Sequence, residues 1–234
     1  MIKIEVLYPE YMNLYGDYGN LKYLEECLGE VKFIFTALND EPSFLKTKID
    51  MLYLGPTTEN HQLEIIELLL PYKNKIKELI NNKVLVLAIG NALEIFTKYI
   101  EIGNGKRIKA LGIFDFYAKR IKDVRYNELC LGLTKEGLEL VGFKNQMSHL
   151  YGKNYLYFQK MLLGSGRNPD IKQEGIRYHH FIGTYLLGPI LPLNPYFTKS
   201  IIEMLGVKKV SLAFEEMALL AYQTRLKEFK EMIK

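Results

Sequence analysis

Reactive side chains are scarce in this chain: four histidines, His61, His149, His179 and His180, and two cysteines, Cys27 and Cys130. Adjacent residues in a strand-like run send their side chains to opposite faces, so His179 and His180 cannot easily clamp one ion. His61 lies near a helix start and His149 in a loop, where a lone histidine is more often a hydrogen-bonded surface residue than a base. The cysteines form neither a CxxC pair nor a closely spaced framework, which excludes zinc ribbons and disulfide scaffolds. Cys27, set between Leu24 and Leu28, reads as a small buried apolar residue, and Cys130 falls in a strand. No metal and no cofactor are expected. Gly16 and Gly19 of NLYGDYGN follow a strand and precede a helix. Their spacing is not G-x-G-x-x-G, however, and Asp17 would put a negative charge where a phosphate would sit, so a tight strand-to-helix turn is expected there.

The most informative position is the passage from the apolar run VLVLAI at 84–89 into Gly90-Asn91-Ala92-Leu93-Glu94. Open α/β sheets place reactive groups just past the carboxyl ends of central strands, and a nucleophile there stands on a strained turn that opens a helix. The residue at the tip is Gly90. It has no side chain to attack with, and it relaxes a backbone strain of about 1–3 kcal/mol that a nucleophile must tolerate.

The elements around this turn follow from apolar periodicity. Strands are predicted at Ile2–Tyr8, Val31–Leu38, Met51–Gly55 and Val84–Ile89, with helices from Gly19 to about Gly29 and from Glu59 to Asn81, the latter kinked or restarted at Pro71. A strand apolar on both faces, as at 84–89, belongs in the middle of a parallel sheet with helices on each side. The expected architecture is an open, mostly parallel α/β sheet. From about Lys106 shorter strand-like runs follow, at 110–117, 128–133, 138–143 and 155–163, as an antiparallel edge or insertion. The passage 175–186 reads as strand to loop. Asn194-Pro195 signals a helix with Asn as N-cap. A last helix is expected from about Ser211 to Lys234, with Leu212, Leu219, Leu226 and Ile233 at heptad spacing and Tyr222 and Phe229 between them; its apolar face is expected to pack on the chain's own sheet, with a partner-binding face as the alternative.

With 48% hydrophobic and 25% charged residues the chain falls among ordinary globular proteins and far from disorder. Its 234 residues suggest one domain, 1–234. A net charge of +4 spread over this surface makes no phosphate-binding stripe, so nucleic acid is not indicated. No apolar run reaches the roughly 18 residues of a membrane span, and MIKIEVLYPEYMNLYGD meets acidic and turn residues too early for a signal peptide. A cytoplasmic location is expected.

LYPEYMNLYGDYGNLKYL at 7–24, VLVLAIGNALEIF at 84–96, VGFKN at 141–145 and EGIRYHHFIGTYLLGPILPLNP at 174–195 resemble, in order and spacing, the class I glutamine amidotransferases of the cobyric acid synthase type. Among these the chain looks most like the small stand-alone amidotransferase subunit of lipid II isoglutaminyl synthase. The resemblance implies a flavodoxin-like sheet. It also implies a glutaminase in which an elbow cysteine attacks the glutamine amide, a histidine shuttles protons, backbone N–H groups hold the oxyanion, and ammonia passes to a Mur-ligase-like synthetase partner.

The residues that would carry this chemistry are replaced. The family's elbow A-I-C-G-G-Y-Q reads Ala88-Ile89-Gly90-Asn91-Ala92-Leu93-Glu94, which puts Gly90 at the nucleophile position. The histidine of G-T-Y-L-H-G-P corresponds to Leu187. The glycine-rich G-G-G-Q turn reads Gly55-Pro56-Thr57-Thr58, and proline has no N–H to offer an oxyanion. G-F-E-N-H reads Gly142-Phe143-Lys144-Asn145-Gln146. Glutaminase activity is therefore predicted absent, leaving a binding or scaffolding subunit in cell-wall precursor amidation. Gly55, Thr57, Thr58, Asn91, Glu94, Asn145 and Gln146 remain as pocket candidates, and the alternative is an enzyme of altered chemistry that binds a small amide or amino acid there.

Overall fold

The structure is a computed structural model that describes residues 1–121, 124–152 and 156–233. The first half runs β1 (Ile2–Leu7), α1 (Tyr18–Leu28), β2 (Val31–Thr36), β3 (Met51–Leu54), α2 (Glu59–Leu69), α3 (Lys73–Asn81) and β4 (Leu85–Ile89). Pro71 sits in a 3₁₀ turn, Leu70–Tyr72, between α2 and α3, where its missing N–H breaks no helical ladder. After a 3₁₀ helix at Gly90–Phe96 come β5 (Tyr99–Glu101), β6 (Arg107–Lys109), β7 (Phe116–Arg120), β8 (Tyr126–Thr134), β9 (Glu139–Gln146) and β10 (Ser148–Gly152). Then follow β11 (Gln159–Leu163), β12 (Gln173–Glu174), β13 (Ile176–Tyr178), β14 (Phe181–Thr184), α4 (Ile190–Leu193), α5 (Pro195–Met204) and α6 (Glu215–Glu231).

The central sheet has the order β13-β14-β4-β3-β1-β2. Four of its five neighbouring pairs are parallel, and only the β13–β14 hairpin at one edge is antiparallel. Period-two alternation feeds two cores. Met51, Tyr53, Leu85, Leu87 and Ile89 pack with α1 and α5, whereas Leu52, Leu54, Val86 and Ala88 pack with α2 and α3. That two-sided burial is why 84–89 is continuously apolar. Two four-stranded sheets, β10-β7-β5-β6 and β12-β11-β8-β9, flank this frame. The first adds Ile100, Phe116, Ala118 and Leu150 to the α2/α3 core.

Several expectations needed correction. Residues 110–115 form no strand; β7 begins at Phe116, and the short strands β5 and β6 precede it. The predicted run 155–163 is a strand only from Gln159, and its first residue lies outside the described ones. His149 is not in a loop: it is buried in β10 opposite Lys119, with its ring against Tyr126. His179 and His180 form the two-residue turn of the β13–β14 hairpin, His179 at φ 50°, so strand alternation does not apply to them. The Asn194 side chain does not cap α5. It binds Val141 N–H and C=O and the Ile190 carbonyl instead, tying the start of α5 to β9. Cys27 is half-buried, with its sulfur accepting from Ala213 N. The last helix starts at Glu215, and it packs on the β8–β9 sheet through Tyr222, Leu226 and Phe229. Leu212 joins a different core and Ile233 is exposed, so the buried stripe follows i, i+4, i+7 rather than the heptad.

Candidate functional site

β4 delivers the chain to Gly90 at the carboxyl edge of the sheet, and Gly90 turns it with φ at 62°. That left-handed conformation suits glycine. A Cβ there would stand 2.8 Å from Pro56 Cβ and 3.2 Å from Leu187 Cδ2. The three positions that the resemblance links to nucleophile, base and oxyanion turn thus meet at one point, occupied by a glycine, a leucine and a proline. Leu187 is held there by paired backbone bonds with Phe143 of β9, 2.8 and 3.2 Å.

Around this point most polar groups satisfy one another, although Thr57 Oγ1 and Gln146 Oε1 are buried without a hydrogen-bond partner. Asn91 exchanges two hydrogen bonds with the Thr57 backbone, accepting from its N–H at 3.0 Å and donating to its carbonyl at 2.8 Å. Glu94 is fully buried and accepts from Gln62 Nε2 at 3.0 Å and from Tyr185 Oη at 2.9 Å. Burial raises its pKa, and hydrogen bonds from Gln62 and the charge of Arg120 only partly offset this. Gln62 also donates to the Asn91 carbonyl at 2.6 Å and accepts from Arg120 at 2.7 Å. At the mouth, Arg125 donates to Asn145 Oδ1 at 2.7 Å, to Tyr15 Oη at 3.2 Å and to Glu59 at 3.2 Å. The recess left between these groups measures about 10 Å³. Such a volume holds at most a single water.

Of the residues singled out in the sequence, Thr57, Gly90, Asn91, Glu94, Asn145, Gln146 and Leu187 border this recess. Gly55 and Thr58 do not. Gly55 is a close-approach glycine whose missing Cβ leaves room for the Met12 carbonyl and the Asp17 carboxylate. Thr58 caps α2, its Oγ1 accepting from His61 N at 3.2 Å. Asp17 itself is buried under the first turn, bonded to Asn20 and Tyr53, and burial pushes its pKa up to about 7. His61 stacks on Tyr11, and burial pushes the Cys130 thiol up to about 12, so neither faces the elbow as a reactive group. Sequence reasoning missed Gln62, Arg120, Arg125 and Tyr185. Tyr185 lay in plain view within GTYL, but nothing in its spacing says that its hydroxyl reaches a carboxylate on another strand's loop.

A parallel α/β sheet with a helix-opening turn past its central strand is the fold of glutamine amidotransferases. Two solved structures share it: a glutamine amidotransferase at TM-score 0.58 and 14% identity, covering 87% of this chain and 99% of that one; and one from Thermotoga maritima at TM-score 0.56 and 11% identity, covering 99% and 93%. Residues 3–195 match the CobB/CobQ-like glutamine amidotransferase domain, and the chain belongs to that family. It is 27% identical over 194 residues to the lipid II isoglutaminyl synthase (glutamine-hydrolyzing) subunit GatD of Staphylococcus aureus (strain N315), covering 82% of this chain and 79% of that protein. It is 29% identical over 199 residues to the subunit of the same name from Streptococcus pneumoniae (strain ATCC BAA-255 / R6), covering 82% and 76%.

Proposed function

We propose that this chain is a glutamine amidotransferase-like subunit without glutaminase activity, one domain that binds and scaffolds a Mur-ligase-like synthetase in the amidation of lipid II, a cell-wall precursor. The observation that carries this reading is the meeting of Gly90, Leu187 and Pro56 at the elbow, with a recess of about 10 Å³ beside them. An amide carbon there meets no thiolate, no imidazole and no N–H from position 56, so the covalent route has no first step. The two GatD relatives, named as subunits of lipid II isoglutaminyl synthase, support the pathway, and the Mur-ligase-like partner is inferred from the family resemblance. The size of the recess also favours scaffolding over the binding of a small amide or amino acid in a remodelled pocket.

A cytoplasmic location fits this role; among the described residues no helix is long and apolar enough to cross a membrane. The test has two readouts. Glutamate and ammonia release from glutamine should stay at background for the protein alone and with its synthetase, and a rate comparable to active relatives overturns the reading. Affinity purification from the native cell should recover a Mur-ligase-like synthetase, and repeated failure to do so removes the scaffolding half.

A further inference from the structure

A second recess, of about 690 Å³, opens at the other end of the sheet and shares no residue with the elbow. Three elements make most of its walls, and Phe158, just ahead of β11, adds to them. One face of α5 contributes Tyr196, Phe197, Ser200 and Met204 at helical spacing, the β13–β14 hairpin contributes Arg177, His180 and Ile182, and the β8–β9 turn contributes Thr134 and Leu138. The volume lies in the range of small-molecule sites. Beside its apolar walls the recess carries Glu136, Lys199 and Glu203, with Lys199 already paired to Glu215.

The decisive group is Arg177, which projects from β13 beside Ile182. Among the described residues it has no ion pair. Its Nη2 is spent on the thioether of Met204 at 3.3 Å, and its Nη1 is buried with no hydrogen-bond partner. A thioether is a weak acceptor and methionine is a flexible side chain, so the contact is easily exchanged. The nearest countercharge that acts on the guanidinium is Glu136, through space, while burial lowers its pKa. His180 in the same wall likewise has Nδ1 buried without a partner. A guanidinium with no carboxylate at ion-pair distance, beside the apolar side chains of Phe158, Phe197 and Ile182 in the same recess, has a donor fork that a carboxylate with an apolar body would complete.

We propose that this recess binds a small organic carboxylate, with the carboxylate displacing Met204 from Arg177 and the apolar body lying between α5 and the β13–β14 hairpin. The site is independent of the elbow and of the reading proposed for it. The test uses the full chain with ¹³C-methyl methionine and titrates 4-phenylbutyrate, with its neutral amide as the control. The Met204 methyl resonance should move and saturate below about 10 mM carboxylate. The resonance of Met51, buried in the central sheet, should stay fixed. The amide should bind at least about tenfold more weakly, since it cannot take the charge-assisted bidentate bond.

Arg177→Gln should weaken the carboxylate by about tenfold while leaving the amide unchanged, and Ser200→Trp should fill the recess and abolish both. The amide comparison needs no variant, so a variant that fails to fold leaves the outcome decided. Failure of the Met204 resonance to saturate, or equal affinity for carboxylate and amide, overturns the proposal.

Discussion

Gly90→Ala is the smallest perturbation that tests the elbow. It places an L side chain at φ 62°, which costs about 1–2 kcal/mol for the left-handed conformation alone. The new carbon also stands 2.8 Å from Pro56 Cβ and 3.2 Å from Leu187 Cδ2. The leucine can yield by a few tenths of an ångström, but Pro56 Cβ is a ring carbon tied to its backbone. Overpacking of this kind adds about 1–3 kcal/mol. The expected loss is therefore about 2–5 kcal/mol, a large part of the usual 5–15 kcal/mol of a folded domain. The chain has no tryptophan, so urea unfolding is best followed by far-UV circular dichroism. The midpoint should fall with the slope unchanged. Pro56→Gly removes the obstructing carbon, and the double variant should show a coupling of at least about 1 kcal/mol in the direction of rescue. A Gly90→Ala protein within about 0.5 kcal/mol of its parent, or strictly additive variants, would refute the packing account of this turn.

The same wall faces a restored nucleophile: Gly90→Cys with Leu187→His should remain at background in glutamine hydrolysis, because Pro56 still offers no N–H and the recess still lacks room, and measurable turnover would show otherwise. Asp17, with its pKa raised from 3.8 to about 7 by burial, binds its proton more tightly folded than unfolded, so its share of stability is full below about pH 4 and is lost as pH rises to about 7. That displacement corresponds to about 4 kcal/mol at most, and urea midpoints between pH 4 and 7 should lose much of their downward slope in Asp17→Asn. Phe229→Ala should cost about 3–5 kcal/mol of local stability and release α6, read as faster amide hydrogen exchange confined to that helix and its contacts on β8 and β9. Asn194→Ala strands Val141 N–H, Val141 C=O and the Ile190 carbonyl in the interior, a loss of about 3 kcal/mol that thermal unfolding would detect.

What the sequence disclosed, and what it hid, divides along physical lines. β3 and β4 were readable because both faces of each are buried, and the α2–α3 break because proline removes a donor at a fixed place. β5 and β6 were not, since three-residue strands with charged ends carry no periodicity to detect. The β13–β14 hairpin was blurred by His179-His180, a pair that looks like strand and turns only because His179 accepts a positive φ. At the site, the replaced positions were visible as residue types. Their mutual contact was not, because residues 56, 90 and 187 are brought together by three separate strands of the sheet. The polar scaffold of Gln62, Arg120 and Tyr185 around Glu94 was invisible for the same reason.

That polar scaffold explains how the turn can keep its shape without a reactive residue. The loop after β4 is held by Asn91 on Thr57, by Gln62 on the Asn91 carbonyl, and by Glu94 between Gln62 and Tyr185. None of these bonds involves the side chain of residue 90 or 187. A nucleophile at the tip would add strain and a titratable group to this arrangement and would contribute no contact that holds it. Under the proposed function, Pro56 and Leu187, both beside Gly90, take up space that a substrate would need. Fold and chemistry therefore draw on different atoms at this elbow, and a chain can shed the second while the first stays bonded as before.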